Sequence, residues 1–300
     1  MIDGIIIMNK EKGYTSHDVI AKLRGILRLK RIGHTGTLDP DAEGVLPVCI
    51  GKATKICDMI TDKDKTYEAV LKLGVTTDTQ DLSGKILSTK DVNVKFEEVE
   101  KVMNGFIGEY LQLPPMYSAI KVNGKKLYEL AREGKEIERE RRKVIIHNIR
   151  ILDYSEEFHE VKVVVDCGKG TYIRTLLHDV GEQLGCGGAM KSLVRTKVGS
   201  FILENAKKLS EIEEMVRNET FDSYVIPLDS MFNGFDKVIV AREYHKLIYN
   251  GNSFRIEHLV NKQEEITADW VRVYDADEIF IGIYQYDLEK KYYKPVKMFL

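Results

Sequence analysis

RIGHTGTLDPDAEGVLP, residues 31–47, sets one carboxylate, Asp39, in a loop punctuated by Gly33, Gly36, Gly44, Pro40 and Pro47. Glycine reaches backbone angles closed to other residues and proline fixes its own, so this spacing reads as a shaped turn, neither helix nor strand. Asp39 precedes Pro40, which pushes its backbone to the extended region and gives its side chain a set direction. Leu-Asp-Pro by itself is an ordinary turn. Here the loop is long, and His34 stands five residues before Asp39. The preceding stretch, 19–38, carries Lys22, Arg24, Arg28, Lys30 and Arg31 with no acid among them.

Outward from the loop, the periodicities alternate. GIIIMNK (4–10) reads as a strand. Thr15 and Asp18 have capping-box spacing, and Val19, Ile20, Leu23, Ile26 and Leu27 recur on one helical face. ATKICDMI opens a further helix. KTYEAVLKLG (65–74) places Tyr67, Ala69, Leu71 and Leu73 on one strand face. Phe96, Val99, Met103 and Phe106 predict a helix ending near Gly108, and residues 144–152 and 161–168 predict a strand pair. Ile173, Leu176, Leu177, Val180 and Leu184 predict a helix closed by Gly185, and Ser210 with Glu213 is a second capping-box candidate. The βαβ rhythm of a parallel sheet is missing. The expected fold is α+β, with a mixed, largely antiparallel sheet flanked by helices. Beyond residues 227–234 a short helix (EYHKLIYN, stopped by Gly251) and a hairpin (WVRVY, a turn at 275–278, IFIGIYQY) predict a small β-rich appendage.

At 300 residues, 43% of them hydrophobic, the chain can bury a large core in one or two domains. No apolar run approaches the roughly 20 residues of a membrane span. The N-terminal stretch lacks the marks of a signal peptide, so a cytoplasmic location is expected. Cysteines 49, 57, 167 and 186 show no Cys-x-x-Cys spacing and the histidines are scattered, so neither a disulfide framework nor a metal site is expected. The net charge of −2 conceals an asymmetry: residues 1–203 carry 32 Lys/Arg against 29 Asp/Glu, and 204–300 carry 13 against 18. Residues 183–203 hold Lys191, Arg195 and Lys197 without an acid, and 121–143 hold nine basic residues against five acidic. Such local basic surface is what phosphate binding needs.

Five blocks in order resemble the TruB-type tRNA pseudouridine synthases: residues 31–47, KTYEAVLKLGVTTDTQDLSG (65–84), LPPMYSAIKVNGKKLYELAREG (113–134), CGKGTYIRTLLHDVG (167–181) and SLVRTKVGSF (192–201). The resemblance implies a catalytic domain over 1–231, with a thumb segment at about 121–143 that clamps the RNA. Residues 232–300 are loosely similar to the family's PUA-like RNA-binding domain. It implies conversion of uridine 55 in the T-loop of tRNA to pseudouridine. No coiled coil or long apolar edge stands out in the sequence, so a monomer is expected, with no protein partner or membrane implied. That reaction moves the C1′ bond of uracil from N1 to C5. Atoms and electrons balance without a cofactor or metal, and a carboxylate suits glycosidic chemistry. An alternative is a tRNA-folding chaperone whose modification is incidental.

By the same resemblance Asp39 is the catalytic aspartate. Three roles are open to it: attack at C1′, addition to C6, or proton abstraction at C2′. Each needs an ionised carboxylate in a pocket that raises its pKa. Arg174 is the arginine that pairs with it, Tyr67 stacks on the flipped uracil, with proton transfer at C5 also open to it, and Tyr172 lines the same pocket. Leu193 forms an apolar wall, Lys55 matches a family lysine, and His34 stacks into the space the base vacates. Asp81 organises the rim. Many relatives carry Thr where this chain has Glu43, an extra charge near Asp39.

Overall fold

GIIIMNK folds as β1 (Gly4–Lys10), an apolar run buried on both faces. The computed structural model describes residues 3–122, 124–261 and 269–300. After β1 come α1 (Ser16–Leu27), β2 (Ile32–His34), β3 (Glu43–Ile50), α2 (Cys57–Thr61), β4 (Lys65–Leu73) and a hairpin of β5 (Val75–Thr77) and β6 (Ile86–Thr89). Next are α3 (Phe96–Asn104), β7 (Gly108–Gln112), a second hairpin of β8 (Lys121–Val122) and β9 (Lys125–Lys126), and α4 (Leu127–Arg132). Then follow β10 (Arg142–Ser155), β11 (Glu160–Cys167), α5 (Ile173–Gln183), β12 (Gly188–Val198), β13 (Phe201–Ile202), α6 (Leu209–Arg217) and β14 (Ile226–Pro227).

One sheet runs β14-β1-β3-β12-β4-β11-β10-β7, with β2 beside β3 and β13 beside β12. Among the described residues its pairings are antiparallel except β12 with β3, where Val194 and Arg195 lie opposite Glu43 and Gly44. This is the mixed sheet expected of the α+β class. β2 and β12 share one side of β3: β2 takes residues 48–50 and β12 takes 43–44. The loop 35–42 leaves the sheet where these two neighbours meet.

Local signals account for most elements. The Thr15 hydroxyl accepts from Asp18 N at 3.0 Å and the Asp18 carboxylate accepts from Thr15 N at 2.8 Å, closing the capping box of α1. Tyr67, Ala69, Leu71 and Leu73 are buried along β4. Gly185 ends α5 in the left-handed region. Three local expectations shift. ATKICDMI divides into a 3-10 turn (Gly51–Ile56) and the short α2. α3 stops at Asn104, and Gly108, in the left-handed region, opens β7. The box at α6 is made by Glu211 accepting from Lys208 N at 2.8 Å, two residues ahead of the Ser210–Glu213 pair, because Ser210 already lies inside the first turn.

The alternation of β1 serves two cores. Ile6 and Met8 pack with Leu46, Val48, Val19, Leu23 and Ile212 beneath α1 and α6. Ile5 and Ile7 pack with Val45, Cys49, Ala53, Phe232, Ile283 and Phe299. The last three belong to, or border, a second sheet of β15 (Asp236–Ile239), β16 (Trp270–Tyr274), β17 (Phe280–Asp287) and β18 (Tyr292–Met298), in that order. The expected hairpin is β16–β17, and the expected short helix is α7 (His245–Tyr249). Thus the appendage has its own sheet and also completes a core of the first domain. Among the described residues no helix is long and apolar enough to cross a membrane.

Candidate active site

The Asp39 loop is tied from three directions. Lys10, at the end of β1 and 1% exposed, donates to the carbonyls of Ala42 (2.5 Å), Pro40 (3.0 Å) and Glu11 (3.1 Å). Ser16, in the first turn of α1, accepts from Leu38 N at 3.0 Å. Arg195 of β12 donates to the carbonyls of Val45 (2.7 Å) and Gly36 (3.0 Å), one on each limb. Gly44 permits the close approach: a Cβ there would stand 2.2 Å from the Arg195 carbonyl oxygen. Within the loop Ala42 N donates to Asp39 O at 3.1 Å, a tight turn through Pro40.

This turn presents Asp39 to Arg174, in the first turn of α5. The Arg174 guanidinium lies 3.3 Å from one Asp39 oxygen and 3.5 Å from the other, donates to Tyr117 O at 2.6 Å, and approaches Asp81 at 3.8 Å. It also lies 6.0 Å from the centre of the Tyr172 ring. Tyr172, the residue before α5, is clamped by Gln112, which accepts from its N–H at 2.8 Å and donates to its carbonyl at 3.0 Å. Asp81 is fixed by its own loop, accepting from Thr79 Oγ1 at 2.7 Å and Ser83 N at 3.0 Å.

Removal from water pushes the Asp39 carboxyl above the ordinary carboxylate range. Arg174 opposes that push, Asp81 and Asp41 add to it, and Lys10 works against it. The Asp39 side chain is still 40% open, so solvent screening softens each effect. Asp39 thus sits in a cleft wall, held by a cation that is itself only 6% exposed. Glu43 begins β3, and its negative charge favours the protonated form of Lys10.

Tyr67 and Leu193, on the adjacent strands β4 and β12, are buried in one apolar cluster with Leu38, the residue before Asp39. His34 ends β2. Burial draws its pKa down to about 4, and His17 and Arg195 add to the shift, so its ring is neutral at physiological pH. Its ring meets that of His17 edge-on at 5.2 Å. Among the described residues its Nδ1 is buried without a hydrogen-bond partner, as are Ser118 Oγ and Arg174 Nε. Lys55 is engaged elsewhere: its amino group donates to the carbonyls of Met298 (2.9 Å) and Leu300 (3.3 Å). The structure therefore brings Asp39, Arg174, Tyr172 and Asp81 together, with Tyr67 and Leu193 in the apolar layer beside them, and ties Lys55 to the C-terminal strand.

Residues 24–173 match the TruB family pseudouridylate synthase (N terminal domain), and 174–233 match the tRNA pseudouridylate synthase B C-terminal domain. The chain belongs to the TruB family. A relative named tRNA pseudouridine synthase B from Lachnoclostridium phytofermentans is 55% identical over the whole of both chains. Another of that name from Bacillus cereus is 45% identical over 95% of this chain and 93% of its own. Among solved structures, a chain of a Cbf5-Nop10-Gar1 complex is 26% identical with a TM-score of 0.71, covering 99% of this chain and 85% of that one. A chain of an H/ACA RNP bound to a substrate RNA containing 2'-deoxyuridine aligns with a TM-score of 0.70 at 23% identity, over 99% and 85% of the two chains.

Within this TruB-family chain, two residues of the cleft escape a sequence reading. Lys10 ends an apolar strand and Arg195 falls in a basic stretch, and both patterns suggest surface. Both are 1% exposed. The basic stretch 183–203 therefore offers Lys191 and Lys197 to solvent, but not Arg195. Their partners are backbone carbonyls, which leave no mark in a sequence. Far from the cleft, His245, Asp275 and Asp277 bring possible metal-ligating atoms within 4.8 Å of one another. Local bonds occupy them: His245 Nε2 accepts from Ala276 N at 2.9 Å, and Asp275 accepts from Asp277 N (2.9 Å), Ile279 N (2.8 Å) and the Tyr249 hydroxyl (2.8 Å). That cluster reads as the cap of the β16–β17 turn.

Proposed function

We propose that this chain converts uridine 55 in the T-loop of tRNA to pseudouridine, with Asp39 as the essential carboxylate. The observation that carries the proposal is the Asp39–Arg174 pair, held in a cleft beside buried Tyr67 and Leu193. The names and identities of the relatives support it. In the reaction the N1–C1′ bond breaks, uracil turns, C5–C1′ forms, and the C5 proton is exchanged for one at N1. Attack at C1′, addition at C6 and proton abstraction at C2′ all call for the same ionised oxygen, and Arg174 opposes the upward push of burial on its pKa. The target must be extruded, at a cost of a few kcal/mol in lost stacking. Tyr67 offers a face to the flipped base, Tyr172 and Leu193 close its pocket, and neutral His34 can stack where the base has left. Residues 1–231 form the catalytic domain in this reading and 232–300 a PUA-like domain. The protein acts as a cytoplasmic monomer without metal or cofactor.

The test is an unmodified tRNA transcript incubated with the protein and a metal chelator, then mapped by mass spectrometry or carbodiimide primer extension. Pseudouridine at position 55 is expected. Tight tRNA binding without any pseudouridine would put the folding-chaperone reading first.

Two further results follow from the charges. The segment 121–143 presents Lys121, Lys125, Arg132, Lys135, Arg141, Arg142 and Lys143 to solvent or near it, while Asn123 lies outside the described residues. Phosphate contacts from such a segment release counterions, so tRNA affinity should fall by about tenfold or more over a few-fold rise in salt. A flat salt response removes phosphate contact as the main source of affinity. Lys10 loses one of its three N–H donors when it deprotonates, which burial brings down to about pH 8. The rate is therefore expected to decline as pH rises through that value, and Lys10→Arg to carry the decline upward. A wild-type rate that stays level well above it takes Lys10 out of this role.

A further inference from the structure

Arg195 places a full positive charge in the interior, 1% exposed. Among the described residues its hydrogen-bond partners are three neutral carbonyls: Val45, Gly36 and, at 3.5 Å, Thr37. Burying an unpaired cation is costly, and a neutral amide could anchor carbonyls. The strand register shows what else the charge meets. Arg195 lies directly opposite Tyr67 across β12 and β4, next to a register shift between Arg195 and Lys197. Directly opposite residues carry their side chains to the same face, roughly 5 Å apart. A bulge re-aims the residue beside it. Tyr67 is itself buried in the layer with Leu38 and Leu193.

A guanidinium has only donors. Facing the Tyr67 hydroxyl, it makes the phenol oxygen an acceptor and leaves the phenol O–H free to donate elsewhere. We infer that Arg195 is a positioning residue of the reaction: one guanidinium holds both limbs of the Asp39 loop and the Tyr67 oxygen. The carboxylate and the phenol then keep a fixed separation while the base turns between them. Burial pushes the Tyr67 phenol up, and the Arg195 charge opposes this, so negative charge that develops on that oxygen meets a cation already in place. Arg174 does the same for Asp39, so the carboxylate and the phenol each have their own guanidinium. The inference rests on the function proposed above.

The experiment compares wild type, Arg195→Lys, Tyr67→Phe and the double variant. Lysine keeps the charge but is a single point, unable to span three carbonyls and a phenol. Arg195→Lys is expected to bind tRNA with KM and affinity within about twofold of wild type, while kcat falls by about 10²-fold, the scale of a misplaced reacting group. The double variant should lose far less than the product of the two single losses, because both act through one oxygen. Multiplicative losses, or a KM rise that matches the loss in rate, overturn the inference. If Arg195→Lys does not fold, Tyr67→Phe decides alone. Removing the phenol oxygen should move the Arg195 side-chain ¹⁵N resonances, and unmoved resonances overturn the inference equally. A wild-type protein that makes no pseudouridine defeats the proposed function instead, and leaves the resonance test intact.

Discussion

Asp39→Asn is expected to lower pseudouridine formation by about four orders of magnitude or more, the scale seen when an essential catalytic group is removed, while melting no lower than wild type at neutral pH. The activity half follows from chemistry. Each role open to Asp39 needs an anionic oxygen, and an amide has none to offer. The stability half follows from linkage. The folded-state pKa of Asp39 is raised, so folding disfavours its ionised form above that pKa. As pH falls through the folded pKa, the native protein takes up this proton before the unfolded chain does, and wild type gains stability that the amide variant does not. The melting curves of the two proteins should therefore converge as the solution is acidified from neutral. Because the Asp39 side chain is 40% open, the difference is modest. Single-turnover product assays and melts at two pH values test both halves. Product at the wild-type rate would end Asp39's candidacy, and a variant that melts far below wild type would mean the charge holds the loop together.

The second large effect is on stability. Gly44 has φ +104°, and a Cβ there would lie 2.2 Å from Arg195 O and 2.9 Å from Arg195 C and N. These are backbone atoms of the neighbouring strand, with no flexible end to swing aside. Gly44→Ala must part β3 from β12 or distort the turn, at about 3–5 kcal/mol of overpacking and backbone strain together. The control is Gly25→Ala in α1, where a Cβ meets nothing within 4 Å. There alanine is expected to stabilise by about 0.5–1 kcal/mol. Denaturant titrations of both variants provide the comparison, and similar midpoints would show that β12 can yield at Gly44. The same substitution displaces Arg195, so activity should fall at temperatures where Gly44→Ala remains folded.

The contrast between these glycines marks how far the sequence can be read. The loop's shape, the cap at Thr15, the alternation of β4 and the end of α5 at Gly185 are local, and each follows from spacing and residue type. The grouping of Asp39, Arg174, Tyr67, Tyr172 and Leu193 came through resemblance, since no periodicity joins residues 39 and 174. Lys10 and Arg195 were hidden by their own chemistry, because a charged residue in sequence predicts water and these two instead meet carbonyls. Lys55 sits in a family-like segment close to the Asp39 loop in sequence, and in the fold its amino group donates to the carbonyls at 298 and 300. Glu43, an apparent threat to Asp39, opens the strand below the loop and supports the lysine there.

The joint between the two sheets bears on how the protein comes into being. Phe299 is 1% exposed and belongs to the same core as Ile5 and Ile7. A ribosome makes β1 nearly three hundred residues before Phe299. During that interval the core around Ile5 and Ile7 has Val45, Cys49, Ala53 and Phe232 but lacks Ile283 and Phe299, so part of its apolar surface stays uncovered. Domains usually mature from the N-terminus as they emerge. Here the core around Ile5 and Ile7 is completed only by Phe299, a contact across nearly three hundred residues of chain. A chain cut before β18 is therefore expected to leave the Ile5–Ile7 core partly open and to be cleaved more readily by proteases than the full chain.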